Sequence, residues 1–393
     1  MELYKKRISD LGKIVTGKTP RTSNAENYGG NIPFLTPSDD LSGKFAPKTV
    51  KTITEDGLSE VKNCLLPSKS VCVSCIGSDL GKVVITNEPT VTNQQFNSII
   101  PTEENDTDFI YYLMTIVGKH LNFLSKTSTA VPIINKSTFA DFEIEVPSLE
   151  NQRRIAKILS SLDDKIENNR RINENLEQQA QALFKSWFVD FEPFKNGEFV
   201  ESELGMIPKG WRVGKLFDVA EIFDKIRKPL SGRDRENMDK IYPYYGATSC
   251  MDYVDNYLFD GVYTLIGEDG SVVKEDGLPY MQYVWGKFWV NNHAHILQGK
   301  NGFSTEMIHV FLSMTNIQHL VTGAVQAKLS QVNMQKITLP IPPKEVVDEV
   351  RQSIDIIYEN KRVLEDESRR LAELRDTLLP KLMSGELKVN EIA

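Results

Sequence analysis

"TAVPIINKSTFADFEIEVP" (residues 129–147) and "AVQAKLSQVNMQKITLPIP" (residues 324–342) are one passage written twice. A shift of 195 residues lays Ile134 on Leu329, Phe139 on Met334, Phe142 on Ile337, Ile144 on Leu339 and Pro147 on Pro342. Phe142, Ile144 and Val146 alternate with glutamates, and Ile337, Leu339 and Ile341 alternate with Thr338 and Pro340. That period of two predicts a half-buried strand in each copy.

The echo continues upstream with small changes of offset. "SDLGKI" (9–14) pairs with "FDVAEI" (217–222), and "IPFLTPS" (32–38) with "YPYYGAT" (242–248). "CIGSDLG" (75–81) pairs with "LIGEDGS" (265–271), and "TNQQFN" (92–97) with "NNHAHI" (291–296). Each match is weak, but all occur in the same order in both halves. The chain is a tandem duplication whose period is near half its length, too long for a solenoid.

A long helical pattern follows each copy. In the first, Ile155, Leu159, Leu162, Ile166, Asn169, Asn173, Leu176, Ala180, Leu183 and Trp187 advance by alternating fours and threes. In the second, Val350, Ile354, Ile357, Lys361, Leu364, Ser368, Leu371, Arg375, Leu378 and Leu382 do the same. This 3.5-residue step is a coiled-coil seam, polar near its middle, where polar residues fix register and partner. Two copies on one chain predict an antiparallel pair about a pseudo-twofold axis, although an amphipathic helix lying on its own domain gives a similar pattern. The Gly-, Pro- and charge-rich stretch 191–211 reads as a linker. The expected order is a first domain at 1–147, a long helix at 148–192, linker and second domain at 193–343, and a second long helix at 344–393. The fold class is α+β, with two duplicated mixed domains.

Composition excludes several classes. Hydrophobic residues make up 40% of the 393 positions and charged residues 25%, values of an ordinary globular protein. Four cysteines do not make a disulfide scaffold, the N-terminus has no secretory h-region, and no apolar run is long enough to span a membrane. A cytoplasmic location is the expectation. The net charge of -8 is spread thinly, and leaves room for local basic stretches such as "DKIRKPLSGRDREN" (224–237).

The chemistry-bearing patterns are weak. Gly12 to Thr19 reads G-K-I-V-T-G-K-T and satisfies the P-loop pattern, but the preceding "KKRISD" is too polar for a central strand and no helical period follows. Cys72 and Cys75 form a lone C-x-x-C on a strand-like alternation, which favours burial over zinc. His293 and His295 have no obvious carboxylate partner nearby. Asp39, Asp40, Glu60 and Lys62 loosely resemble a metal-dependent nuclease arrangement, and a self-sufficient nuclease would use Glu60 and Lys62. No catalytic residue and no metal site are assigned. What remains is a set of loops rich in Thr, Ser, Asn, Gln and Tyr, the side chains that read base edges.

The segments "LGKIVTGKTPRTSNAENYGGNIPFLTPSDD", "NQRRIAKILSSLDDKIENNRRINENLEQQAQALFKSWFVDFEP", "IPKGW", "YPYYGAT", "IGEDGS" and "RDTLLPKLMSGEL" together resemble the specificity subunit of type I restriction-modification systems. The resemblance implies two target recognition domains that each read one half of a split site in double-stranded DNA. It implies a helical spacer, docking of two methyltransferase subunits, and motor/nuclease subunits in the full complex. S-adenosylmethionine, ATP and magnesium would then belong to those partners, with no cofactor in this chain. Ranked by chemistry, the DNA-contacting candidates are Lys18, Thr19, Arg21, Thr36, Ser38 and Asp39 in the first domain. Those in the second are Arg227, Lys228, Arg233, Tyr245 and Glu268. The alternatives are a recognition subunit of a methylation-only system and a coiled-coil scaffold bridging two proteins.

Overall fold

A computed structural model describes residues 1–77, 80–125, 133–323 and 326–388. The chain divides into two units, Met1–Asn168 with Glu367–Ala393, and Asn169–Asp366. Residues 129–132 and 324–325 of the repeated passage, and Ser78 and Asp79 of the third echo, lie outside the described residues.

The first unit is closed by its repeated strand. Glu143–Val146 pairs antiparallel with Tyr4–Arg7, Ile144 and Val146 facing inward and both glutamates outward. One four-stranded sheet joins Gly12–Thr16, Phe96–Pro101, Val71–Ser74 and Val83–Ile85. A second joins Lys51–Ile53, Tyr28–Leu35, Thr90–Thr92 and Leu65–Leu66, and its Phe34–Val91 pairing is parallel. The apolar helix Thr107–Ser125 covers the first sheet through Phe109, Ile110, Leu113, Met114 and Val117, all buried in the main core with Val71, Val73 and Ile99.

The second unit repeats this plan with longer strands. Thr338–Ile341, again alternately buried, pairs antiparallel with Arg212–Lys215. A six-stranded sheet runs Ala220–Ile222, Ala294–Gly299, Phe259–Gly267, Met281–Val290, Tyr242–Tyr245 and Cys250–Val254. Here too one pairing is parallel, Tyr244 opposite Trp289, and the helix Thr305–Ser313 packs in the core where Thr107–Ser125 does in the first unit.

Two long helices, Leu149–Phe188 and Lys344–Ser384, take part in both units. In the first unit, Ile155, Ala156 and Leu159 share a core with Leu379, Leu382 and Met383. In the second, Ala180, Phe184 and Phe188 share one with Val347, Val350, Ile354 and Tyr358. The start of each helix therefore meets the end of the other, and they run antiparallel. Each end also lies on the core of a globular domain, so the pairing and docking readings are both realised. A tyrosine–carboxylate–arginine relay ties helices to domain in each unit. Asp163 accepts from the Tyr112 hydroxyl and from Arg375, and Glu306 accepts from the Tyr283 hydroxyl and from Arg362. The ion pair with Asp163 and Asp376 outweighs burial and drives the Arg375 pKa upward.

Two expectations need correction. After Ala180 the most buried positions step to Phe184 and Phe188, leaving Leu183 and Trp187 half-buried. A straight helix drifts off a strict 3.5 repeat, and here it turns its aromatic face into the domain core. The stretch 191–211 is not a loose linker. It holds an antiparallel hairpin, Phe199–Ser202 with Gly205–Pro208, and Trp211 lies edge-on to Phe188, Phe191 and Phe194. The glycine at 205, with φ +87°, marks the hairpin turn rather than a flexible tether.

Candidate nucleic-acid interface

The duplication recurs, atom for atom, at one polar turn in each unit. In the first, the chain leaves the parallel strand at Thr92 and enters the other sheet at Phe96 through Asn93-Gln94-Gln95. In the second it leaves the parallel strand at Val290 and re-enters at Ala294 through Asn291-Asn292-His293. Asn93 N–H donates to the Leu35 carbonyl at 3.1 Å, and Asn291 N–H to the Tyr245 carbonyl at 3.1 Å. The Asn93 carboxamide oxygen accepts from Gln95 N–H at 3.0 Å, and that of Asn291 from His293 N–H at 2.8 Å. Both are Asx turns, in which a short side chain substitutes for a backbone acceptor, and both asparagines are buried, at 8% and 4% exposure.

The strand that ends beside each turn clamps it. Cys75 N–H donates to the Gln95 carbonyl at 2.7 Å and its own carbonyl accepts from Ile134 N–H at 2.9 Å. Glu268 N–H donates to the His293 carbonyl at 2.8 Å and its own carbonyl accepts from Leu329 N–H at 2.8 Å. Ile134 and Leu329 are the pair aligned by the 195-residue shift. Each turn is thus held rigidly from beneath, with Gln94 and Asn292 exposed at its tip.

In the first unit the supporting neighbour is the stretch that resembled a P-loop. Gly12–Thr16 is a strand of the main sheet, and no helix opens after Thr19: the next helical turn is the short Ala25–Asn27. The two glycines are explained by close backbone approach. A Cβ on Gly12 would lie 2.1 Å from the Ile100 oxygen, and one on Gly17 would lie 2.1 Å from the Asn93 oxygen. Lys18 N–H donates to the Thr92 carbonyl at 2.9 Å, and Thr19 Oγ1 donates to Gln94 Oε1 at 2.7 Å. Glu60 accepts from Arg21 N–H at 2.9 Å, a bond that lowers its pKa and holds this loop in place.

In the second unit the support is an ion network. Arg227 Nη1 donates to the Ala294 carbonyl at 2.7 Å and to the Asn292 carbonyl at 3.4 Å, and it pairs with Glu268 at 2.5 Å. His295 is buried between Asp224 Oδ2, at 2.6 Å, and the Leu329 carbonyl, at 2.7 Å. Burial opposes ionisation of Asp224, but bonding to His295, the Arg227 charge and the Gln331 amide prevail and hold its pKa below the ordinary range. Asp224, Glu268 and His295 converge within 4.8 Å, as metal ligands do. Arg227 and Lys328 already supply the positive charge an ion would bring there, so the cluster is a structural network.

Comparison with known proteins bears on what such a duplicated frame serves. The family model described as type I restriction modification DNA specificity domain matches residues 2–178 and again 208–358. The MjaIX specificity subunit of a type I restriction enzyme from Methanocaldococcus jannaschii is 30% identical, over 98% of this chain and 94% of its own length. The chain belongs to this family. The HindI specificity subunit from Haemophilus influenzae is 38% identical, over 42% of this chain and 37% of its own. A crystal structure of a type I restriction-modification S subunit from M. genitalium shares the fold, with a TM-score of 0.57 at 17% identity, covering 98% of this chain and 96% of that one.

The family's recognition surface must be sought among exposed polar groups, and the sequence-ranked candidates divide accordingly. Lys18, Arg21 and Ser38 are exposed and Thr19 is half-buried beside Gln94. Lys228 and Arg233 are exposed, in the basic stretch before Tyr242. Tyr245 is half-buried, its ring edge-on to Phe288 and its carbonyl part of the frame. Four candidates have internal partners. Asp39 is buried, its carboxylate accepting from Thr36 N–H, Val50 N–H and Thr36 Oγ1, so both Asp39 and Thr36 are committed to an internal turn. Arg227 and Glu268 neutralise each other beneath the second turn. Arginine and carboxylate suggest base readout by type alone, but charges largely withdrawn from water need partners: Arg227 has Asp224 and Glu268, and Glu268 has Arg227 and Lys328. Gln94 and Asn292, in the paired segments "TNQQFN" and "NNHAHI", are exposed and stand outside the sequence-ranked candidates. The histidines do have carboxylate partners, Asp269 for His293 and Asp224 for His295, both distant in sequence. Cys72 and Cys75 are buried, and burial pushes their thiols up to about 12 and about 11. Among the described residues no helix is long and apolar enough to cross a membrane.

Proposed function

We propose that this chain is the DNA-reading subunit of a type I restriction-modification complex. Each globular domain reads one half of a bipartite site in double-stranded DNA, and the paired helices set the separation and dock two methyltransferase subunits. Motor/nuclease subunits complete the assembly. The chain itself carries no catalytic step, and S-adenosylmethionine, ATP and magnesium act in the partners. Such a complex works on chromosomal and invading DNA in the cytoplasm.

The observation that carries this reading is the duplicated turn frame. A protein that binds one ligand needs one such surface, while a split target needs two of similar build and different side chains. Membership of the specificity-domain family, matched once in each half, supports the same conclusion. The test is a domain exchange. Residues 1–147 are replaced by the corresponding residues of a relative, the assembled complex is formed, and methylated sites are mapped. One half of the site should change and the other should stay. A site unchanged in both halves, or changed in both, would overturn the reading.

A further inference from the structure

We propose that Gln94 and Asn292 are equivalent adenine-reading residues, one for each half of the recognised site. This rests on the DNA-reading function proposed above and adds to it the residues and the base they select.

Asparagine and glutamine on an exposed turn ordinarily mark only the turn itself. That explanation is already taken here. Asn93 and Asn291 form the turns, with their carboxamide oxygens bound to the backbone two residues on. The third residues are also engaged, Gln95 accepting from Asn93 Nδ2 at 2.8 Å and His293 bonded to Asp269. The side chains of the middle residues make none of the four hydrogen bonds shared by the two frames, yet both are exposed carboxamides. Among the described residues Asn292 makes no side-chain hydrogen bond, and Gln94 makes one, accepting from Thr19 Oγ1.

A carboxamide presents one donor and one acceptor side by side. In the major groove adenine answers with N7 as acceptor and the N6 amino group as donor, whereas guanine offers two acceptors and cytosine a donor alone. Thr19 Oγ1 donates to Gln94 Oε1, which leaves that oxygen's second lone pair and both N–H groups for the base. Because the backbone beneath is fixed by the same four hydrogen bonds in both units, little freedom is lost on binding beyond the side chain's own rotamers.

The test uses the chain assembled with its methyltransferase partners and a DNA library randomised in both half-sites, with methylated molecules sequenced. Gln94→Ala should lower the preference for adenine at one position of one half-site by roughly tenfold to a hundredfold. Asn292→Ala should do so at one position of the other half. Gln94→Glu, which replaces the donor by an acceptor, should shift the preferred base at that position from adenine to cytosine. Profiles unchanged in both variants, or weakened evenly across a half-site, would overturn the inference. If exchanging residues 1–147 changes one half-site while Gln94→Ala changes nothing, only this inference falls. If the exchange changes neither, the DNA-reading function falls with it.

Discussion

Asp39 and Lys18 were ranked together by side-chain chemistry, and the fold separates them completely. Lys18 is exposed beside the first turn, while Asp39 holds the backbone of Thr36 and Val50 through bonds of 2.7 Å each. Hydrogen-bonding capacity is visible in a sequence, but the partner that uses it is set by chain distance and burial. Asp39→Ala leaves two backbone donors without an acceptor, and should cost about 2–3 kcal/mol of stability, measured by denaturant unfolding. The base preference of the assembled complex should not move. A changed half-site profile with unchanged stability would return Asp39 to the list of readers. The same reasoning applies to Gln94 and Asn292: neutral side chains on a turn look like turn-formers until the bonds of Asn93 and Asn291 are placed.

At the scale of elements, periodicity was most reliable where one face alone decides burial. The alternating strands around Ile144 and Leu339 lie where the pattern puts them, because a two-residue period admits one inward face. The long helices were legible for the same reason, and their partners for a further one: polar seam residues in both copies. What periodicity could not show was the turn of the first helix toward Phe184 and Phe188, nor the aromatic cluster around Trp211, since both depend on contacts across the fold. The polar seam itself is testable. Asn173 is buried, its Nδ2 reaches the Lys361 carbonyl at 3.3 Å, and its Oδ1 has no hydrogen-bond partner among the described residues. Asn173→Leu should therefore stabilise the chain, by about 1 kcal/mol, seen as a higher denaturant midpoint with unchanged slope. A lower midpoint would show that this asparagine contributes net stability.

At the scale of the whole molecule, the duplication was readable because it preserves order, though each echo carries a different offset. The offset falls where the first unit has the additional elements Lys51–Ile53, Glu55–Val61 and Leu65–Leu66, and rises again where the second unit has the longer strand, Met281–Val290 against Thr90–Thr92. Charge is the other property that belongs to the chain as a whole. At a net -8, with Arg227 and Arg235 bound to carboxylates, the exposed cations near the candidate surfaces reduce to a few, among them Lys18, Arg21, Lys228 and Arg233. Phosphate neutralisation dominates the affinity of most DNA-binding proteins, and each contact contributes a slope of about -0.9 to the logarithmic salt dependence. The purified chain should therefore bind duplex DNA weakly, with a slope of roughly -2 to -4. On the proposed function, adding methyltransferase subunits should steepen that slope and tighten binding together, as further phosphate contacts would. Fluorescence anisotropy across a salt series, on target and scrambled duplexes, measures both quantities. Nanomolar, sequence-selective binding by the chain alone would mean that its own surface suffices, and that the partners supply chemistry without supplying grip.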